Sequence, residues 1–123
     1  MELLVYKASA GSGKTFTLAV EYIKLLILNP RAYRQILAVT FTNKATAEMK
    51  ERILTQLYGI WKEDPASDAY LKRIKEDLAS SPLSDKELRR RAGMALQYML
   101  HDYSRFRMET IDSFFQSVMR NLA

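Results

Sequence analysis

Cysteine is absent from this 123-residue sequence, and histidine occurs only once, at His101. Without cysteine the chain can form no disulfide, no thiolate metal site and no cysteine nucleophile. A single histidine excludes any metal cluster built from several imidazoles. Because His101 falls on a predicted helix, a solvated or packed role is favoured over a catalytic one.

Long uncharged apolar runs are also absent. Glu21 and Lys24 interrupt the longest run, which therefore stays short of the roughly 18 to 20 residues that cross a membrane. The acidic Glu2 argues against a secretory signal. A composition of 48% hydrophobic and 27% charged residues is typical of a globular protein, and the length suits one domain. We therefore expect a cytoplasmic protein with no membrane partner.

Positive charge exceeds negative charge mainly in the first half of the chain. Residues 1–61 hold eight Lys and Arg against four Asp and Glu, whereas residues 62–107 hold ten against eight. Such a bias fits polyphosphate or nucleic-acid partners, although a solvated surface is the commoner explanation of scattered lysines.

Residues 3–28, LLVYKASAGSGKTFTLAVEYIKLLIL, have the pattern of a buried strand, a turn containing glycine, and a helix that begins at Gly13 or Lys14. A loop that wraps around a phosphate must point successive N–H groups inward, which requires small residues and positive φ at Gly11 and Gly13. The helix should end by Asn29 and Pro30, because proline cannot continue it. The segment therefore predicts a phosphate-binding loop.

Two side chains in this loop have predicted chemical roles. Lys14 can reach the β- and γ-phosphates of a nucleotide, and the Thr15 hydroxyl can ligate Mg²⁺. Ala8 stands where the general motif has glycine, so a plain strand-to-helix loop with a solvated lysine is the alternative. The predicted nucleotide site comprises Ala8, Ser9, Ala10, Gly11, Ser12, Gly13, Lys14, Thr15 and Phe16, with Lys14 and Thr15 as its catalytic residues.

A second apolar run, residues 35–41, predicts a buried strand of a parallel sheet and so completes a βαβ unit. The next helix should begin at Thr42 or Asn43 and bury Met49 and Ile53. Ligands bind at the carboxyl ends of parallel strands. Thr40, Thr42 and Asn43 could therefore hold a phosphate of a nucleic-acid backbone, and ordinary helix capping is the alternative.

Residues 62–104 interrupt this alternation of strands and helices. One helix is predicted from Asp64 and Pro65, and another begins at the capping pattern formed by Ser84 and Glu87. Together they suggest a helical hairpin inserted into the sheet domain. The arginine run 89–91 could contact phosphates, but a solvated face is the favoured interpretation. Residues 105–123 then predict a short third strand and a final helix from Asp112.

Three segments resemble one family. ASAGSGKT, AVTFTNKATAEMKERI and TIDSFFQSVMR, in this order, resemble motifs I, Ia and the next DNA-contact motif of superfamily 1 UvrD-like DNA helicases, and the long spacer is most similar to the RecB/AddA branch. In that family alanine at the position of Ala8 is ordinary. The resemblance implies an incomplete RecA-like P-loop domain over residues 1–61 and 105–123, with residues 62–104 inserted. It also implies ATP at the loop and single-stranded DNA at Thr40, Thr42, Asn43, Thr110, Ser113 and Phe114.

The chain differs from the family pattern at one motif position and in the motifs that it does not contain. Asp112 stands where the family usually has histidine, and a carboxylate there would repel phosphate unless it caps the helix. The family's acidic Mg²⁺-binding pair, its catalytic arginines and its second motor domain do not occur in the 123 residues. We therefore expect an N-terminal part of a longer helicase or helicase-nuclease that unwinds duplex DNA in recombination and repair. The expected protein partners are the remainder of the chain and a second helicase-nuclease subunit.

The isolated segment should bind nucleotide weakly without turning it over. Strands missing between and beside the predicted ones should leave it marginally stable or self-associating. Two other functions remain as alternatives: a small-molecule phosphotransferase, which would need lid arginines and an acceptor pocket, and a non-catalytic DNA-binding module. Titration with ATP and with single-stranded DNA distinguishes the three.

Overall fold

Three parallel strands form the sheet in this computed structural model, which describes residues 2–5, 12–81 and 83–122, with side chains from residue 14 onward. The strands are β1 (Glu2–Val5), β2 (Ile36–Thr40) and β3 (Met108–Thr110), in the order β1-β2-β3. Ala38 is the partner of Leu4 on one side and of Met108 on the other. The predicted α/β class and the parallel sheet are confirmed.

The described residues form five helices: α1 (Ser12–Leu28), α2 (Asn43–Trp61), α3 (Asp68–Asp77), α4 (Asp85–His101) and α5 (Ile111–Leu122). Short 3₁₀ turns precede β2, α3 and β3 at Ala32–Gln35, Pro65–Ser67 and Tyr103–Arg105. Helix α1 ends just before Asn29 and Pro30, as predicted. No helix in the described ranges combines the length and apolarity needed to cross a membrane.

The main core lies between the sheet and helices α1, α2 and α4. All five residues of β2 are buried, which is why their sequence is continuously apolar up to Thr40. Helix α1 buries side chains on most of its surface, and α2 buries Met49, Ile53 and Leu57 at four-residue spacing. The apolar patterns of both helices therefore reflect their packing.

The two helices predicted between residues 62 and 104 are present, but they do not pack along one another as a hairpin. Helix α4 lies along α2 and α1, while α3 lies against α1 and α2. An ion pair of 2.8 Å between Lys75 and Asp85 joins the end of α3 to the start of α4. Since α4 contributes Leu88, Ala92, Ala95, Leu96 and Met99 to the main core, it is an integral layer of the domain.

The strand order corrects one expectation. Strands absent from the 123 residues were expected to lie between those present, yet β2 is hydrogen-bonded directly to β1 and to β3. Any further strand in this arrangement can be added only at the outer edges of β1 and β3. The expected exposure of an apolar helix face is observed on α5, where four large apolar side chains are exposed: Phe115, Val118, Met119 and Leu122.

Candidate functional site

Helices α1, α2 and α5 each follow a strand of the parallel sheet, so their N-termini all lie where the strands have their carboxyl ends. Helix α2 begins two residues after β2, and α5 begins directly after β3. Helix α1 follows β1 across residues 6–11, which lie outside the described residues. The N-terminus of a helix presents N–H groups without intrahelical acceptors and the positive end of the helix dipole. The carboxyl end of the sheet therefore suits anionic ligands.

Most of the predicted phosphate-binding loop, from Ala8 to Gly11, falls within the undescribed segment. Of Ser12 and Gly13 only the helical backbone is described. Lys14 is exposed in the first turn of α1, and that turn contains no acidic residue that would repel a phosphate. Thr15 is half-buried, and the half-buried Phe16 ring lies 4.5 Å from the Tyr70 ring, centroid to centroid. The charge and exposure of this first turn fit a nucleotide phosphate.

No cluster of three or more Asp, Glu, His or Cys side chains suited to a metal ion occurs in the described part of the chain. If Mg²⁺ is bound with a nucleotide, the candidate ligand in this chain is the Thr15 hydroxyl, and the phosphates supply further oxygen ligands. The single histidine, His101, is exposed at the end of α4, where its Nδ1 lies 2.7 Å from the Gln97 carbonyl oxygen.

Thr40 and Thr42 build the turn between β2 and α2. Thr40 is only 1% exposed, and its hydroxyl lies 2.5 Å from the Thr46 hydroxyl and 3.2 Å from the Thr42 carbonyl oxygen. Thr42 caps α2, since its hydroxyl accepts a hydrogen bond of 3.0 Å from the Ala45 N–H. The Thr40 hydroxyl therefore helps to fix this turn, and a contact of Thr40 with DNA stays a prediction.

Phe41, Thr42 and Asn43 are all exposed in the same turn. Asn43 is the first residue of α2, and 49% of Phe41 is exposed immediately after β2. Phe41 was not among the predicted contacts, although an aromatic residue between a strand and a capped helix was a signal that could have identified it. The turn therefore presents an amide and an aromatic ring to solvent.

The β3–α5 junction lies beside this turn, because Thr40 and Thr110 are register partners in adjacent strands. The Thr110 hydroxyl accepts a hydrogen bond of 3.2 Å from the Ser113 N–H and so caps α5. Asp112 is exposed in the first turn of α5, and capping there is performed by Thr110. Ser113 is exposed and Phe114 is half-buried. The structure thus brings together the two segments predicted to contact DNA.

The arginine run 89–91 has a different role from both predicted ones. Arg89 donates a hydrogen bond of 2.8 Å to the Ile60 carbonyl oxygen near the end of α2. Arg91 donates one of 3.0 Å to the Ile27 carbonyl oxygen near the end of α1. Cationic groups at a helix C-terminus satisfy its unpaired carbonyls and interact favourably with its dipole. These two arginines therefore tie α4 to the ends of both neighbouring helices.

Glu87 forms ion pairs with Arg90 and Arg91. Its carboxylate accepts hydrogen bonds from Arg90 at 2.6 Å and from Arg91 at 3.0 Å. These bonds, with that from Arg90 as the larger cause, lower the pKa of Glu87 from its ordinary value of 4.5 to about 2. The arginine run is therefore engaged within the protein.

The lowered pKa of Glu87 predicts an acid-dependent loss of stability. A depressed carboxyl pKa stabilises the folded state above the unfolded-state value near 4.5, and this contribution disappears as pH falls towards about 2. The difference in unfolding free energy between the wild type and Glu87→Gln should therefore shrink across this interval. Urea denaturation at several pH values measures it. A difference that does not change with pH would contradict the prediction.

A control variant separates this effect from the general effect of acid. Glu76 is an exposed glutamate on α3 for which no ion pair is found within the described ranges. The difference between the wild type and Glu76→Gln should change much less over the same interval of pH.

An open groove begins next to the β2–α2 turn. It has a volume of about 520 Å³ and runs from Asn43 along α2, past Lys50, to Tyr103 in the 3₁₀ turn before β3. Neither Lys50 nor Tyr103 was predicted to belong to a binding site, because their proximity depends on how the segment after α4 returns to the sheet.

Comparison with known proteins places this geometry in a family. The model of the UvrD/REP helicase N-terminal domain matches residues 2–123. The chain is 40% identical over 73 residues to an ATP-dependent helicase/nuclease subunit of Clostridium perfringens, a match that covers 58% of this chain and 6% of the relative. No solved structure matches the chain.

Two further relatives are a DNA helicase and a subunit of the RecBCD enzyme. Over 50 residues the chain is 52% identical to ATP-dependent DNA helicase UvrD1 of Mycobacterium leprae, a match that covers 41% of this chain and 6% of the relative. Over 62 residues it is 42% identical to RecBCD enzyme subunit RecB of Escherichia coli, with 44% and 5% covered. The matched part of the chain thus covers only about one-twentieth of the length of each of these relatives. Because the family model matches almost all of its residues, the chain belongs to the UvrD/REP helicase N-terminal domain family.

Proposed function

We propose that this chain is the ATP-binding and DNA-contacting part of a longer DNA helicase, which couples ATP hydrolysis to movement along single-stranded DNA and to unwinding of duplex DNA. The main support is the position of the helices α1, α2 and α5. Their N-termini come after three adjacent parallel strands and therefore lie together at the carboxyl end of the sheet. The names of the relatives, which include helicases and helicase/nuclease subunits, support the same function.

The nucleotide half of the proposal concerns α1. The loop 8–13 and the N–H groups at the start of α1 would hold the phosphates of Mg-ATP, and the ammonium group of Lys14 would contact the β- and γ-phosphates. When bound, Mg-ATP would supply the phosphoanhydride bond between its β- and γ-phosphates, whose hydrolysis drives the helicase. Thr15 would hold the metal ion through its hydroxyl. We propose that this loop, the parallel sheet and its flanking helices form part of a RecA-like P-loop domain.

The DNA half of the proposal concerns the β2–α2 turn and the β3–α5 junction. The amide of Asn43 and the first N–H groups of α2 would contact the backbone of a single strand, and the Phe41 ring offers a surface to a base. Thr110, Ser113 and Phe114 would contact the next part of the strand, with its phosphates kept away from the exposed Asp112 carboxylate, which would repel them. The side chain of Thr40 is buried and would support the DNA contact indirectly, by holding the β2–α2 turn in shape.

The exposed apolar face of α5 supports the proposal that a larger protein surrounds this segment. Phe115, Met119 and Leu122 lie on it at a spacing of four and three residues and are more than half exposed. Monomeric proteins rarely expose such contiguous apolar patches. The remainder of a chain as long as those of the relatives is the partner that we propose for this face, and recombination and repair of DNA is the process.

Asn43→Ala provides the test of the DNA half. Loss of one hydrogen bond to a phosphate should weaken binding of single-stranded DNA by about fivefold, and equally for unrelated sequences, because backbone contacts carry no sequence information. Fluorescence anisotropy with labelled oligonucleotides of two unrelated sequences measures the change. Asn121→Ala is the matched control, since Asn121 is an exposed amide at the far end of α5.

Two results would contradict the DNA half of the proposal. One is a wild-type chain that binds no single-stranded DNA at low salt, and the other is an effect of Asn43→Ala confined to one of the sequences. A chain that binds DNA but not ATP would instead support the alternative of a non-catalytic DNA-binding module.

A further inference from the structure

The groove beside α2 contains a lysine whose ammonium group lies against two aromatic rings. The ammonium nitrogen of Lys50 lies 5.0 Å from the centroid of Tyr103 and 5.3 Å from that of Phe106. Lys50 is half-buried, and none of the ion pairs found in the described part of the chain includes it. Attraction to the ring faces holds the ammonium group in place without neutralising it. Its N–H donors therefore remain suited to an anionic partner.

The aromatic side of the groove is built on the core. Phe106 is 1% exposed, and its ring packs edge-on against Tyr22 at 5.6 Å and against Tyr103 at 5.9 Å. Tyr103 remains 46% exposed at the surface. A ring that is anchored on one side and open on the other costs little entropy when a planar ligand stacks on it.

The groove is continuous with the proposed DNA contact. It is lined by Asn43 at the first residue of α2 and by Lys50 two helical turns further on, a rise of about 10 Å. An aromatic ring beside a cation in a groove is the combination that binds single-stranded nucleic acid irrespective of sequence. Glu51 also lines the groove and would repel a phosphate, so a phosphate is favoured on the Asn43 side of Lys50.

We propose that this groove extends the path of the single strand: Tyr103 stacks on a base, and Lys50 contacts a phosphate between that base and Asn43. This inference rests on the proposed function and adds a second contact region to it. Since every base has a π-face, the site discriminates little between sequences.

Tyr103→Ala and Tyr103→Phe test the stacking contact. Tyr103→Ala should weaken binding of a single-stranded oligonucleotide about fivefold or more, while Tyr103→Phe, which keeps the ring, should bind like the wild type. With an oligonucleotide of the same length made of abasic sites, Tyr103→Ala and the wild type should bind equally. Tyr58→Ala is the matched control, because Tyr58 is an exposed tyrosine on α2 outside the groove.

Lys50→Gln tests the phosphate contact through its dependence on salt. Loss of one phosphate contact to a single strand should reduce the slope of log K against log salt by about 0.7. Circular dichroism and thermal unfolding establish that each variant is folded. If Tyr103→Ala does not fold, Tyr103→Leu keeps apolar packing against Phe106 and removes the stacking ring.

The outcomes separate this inference from the proposed function. If the wild type binds single-stranded DNA and Asn43→Ala weakens it, but Tyr103→Ala and Tyr103→Leu bind normally, the groove proposal is overturned and the proposed function stands. If Tyr103→Ala lost the same amount of affinity for the normal and the abasic oligonucleotide, the stacking contact would also be overturned. If the wild type binds no single-stranded DNA, both proposals fail.

Discussion

Lys14→Ala is expected to weaken binding of Mg-ATP by about 2 kcal/mol or more, which is roughly thirtyfold in the dissociation constant. The reason is that Lys14 lies exposed in the first turn of α1, where the dipole and the N–H groups already favour phosphate, and its ammonium group adds a charge-assisted contact. Titration with a fluorescent ATP analogue in the presence of Mg²⁺ measures the change.

Lys44→Ala is the matched control for this prediction. Lys44 is likewise an exposed lysine in the first turn of a long helix, but that helix is α2. Its removal changes the net charge of the protein by the same amount and should leave affinity for Mg-ATP unchanged. Equal losses in both variants would indicate a nonspecific effect of charge. An unchanged affinity in Lys14→Ala would refute the phosphate-binding loop.

Much of the fold could be predicted because its determinants are local. The continuous apolar run at residues 35–41 predicted the buried strand β2, although the structure limits it to Ile36–Thr40 and leaves Gln35 and Phe41 exposed. The four-residue stripe of α2 predicted the buried Met49, Ile53 and Leu57. Caps were also recognisable, since Thr42 and Ser84 precede their helices with a hydroxyl that accepts the expected backbone hydrogen bond. Periodicity and capping involve residues only a few positions apart.

Features that depend on distant partners could not be predicted in this way. The sequence shows three consecutive arginines but does not show that the ends of α1 and α2 lie within reach of two of them. The same holds for the packing of α4 on α2 and for the meeting of Lys50 with Tyr103. Direct pairing of β1 with β2 likewise depends on strand order, which periodicity leaves open.

The candidate site divides along the same line. Motif spacing identified Lys14, Thr42 and Asn43 as residues near helix N-termini, and the structure places all three there. It could not distinguish the buried Thr40 from its exposed neighbours, because both types of residue occur in the same short motif. The parallel register that sets Thr40 beside Thr110 explains why two motifs seventy residues apart adjoin one another.

Gly93→Ala is expected to lower the free energy of unfolding by about 1 to 2 kcal/mol, although alanine is the better helix former. Helices α2 and α4 approach closely here, and a Cβ atom on Gly93 would lie 2.6 Å from ring atoms of Trp61. Accommodating it requires the indole ring to move, and overpacking of this kind costs more than the gain in helix propensity of about 1 kcal/mol. Urea denaturation monitored by circular dichroism measures the change.

The Trp61→Ala background tests the cause. With the indole ring removed, the clash disappears and only the helix propensity remains, so Gly93→Ala should then raise the free energy of unfolding by up to about 1 kcal/mol. Gln97→Ala, at an exposed position of α4, should shift stability by no more than about 0.5 kcal/mol in both backgrounds. This reversal of sign is specific to steric conflict between Gly93 and Trp61. Destabilisation of equal size in both backgrounds would show instead that the glycine is required by the backbone of α4.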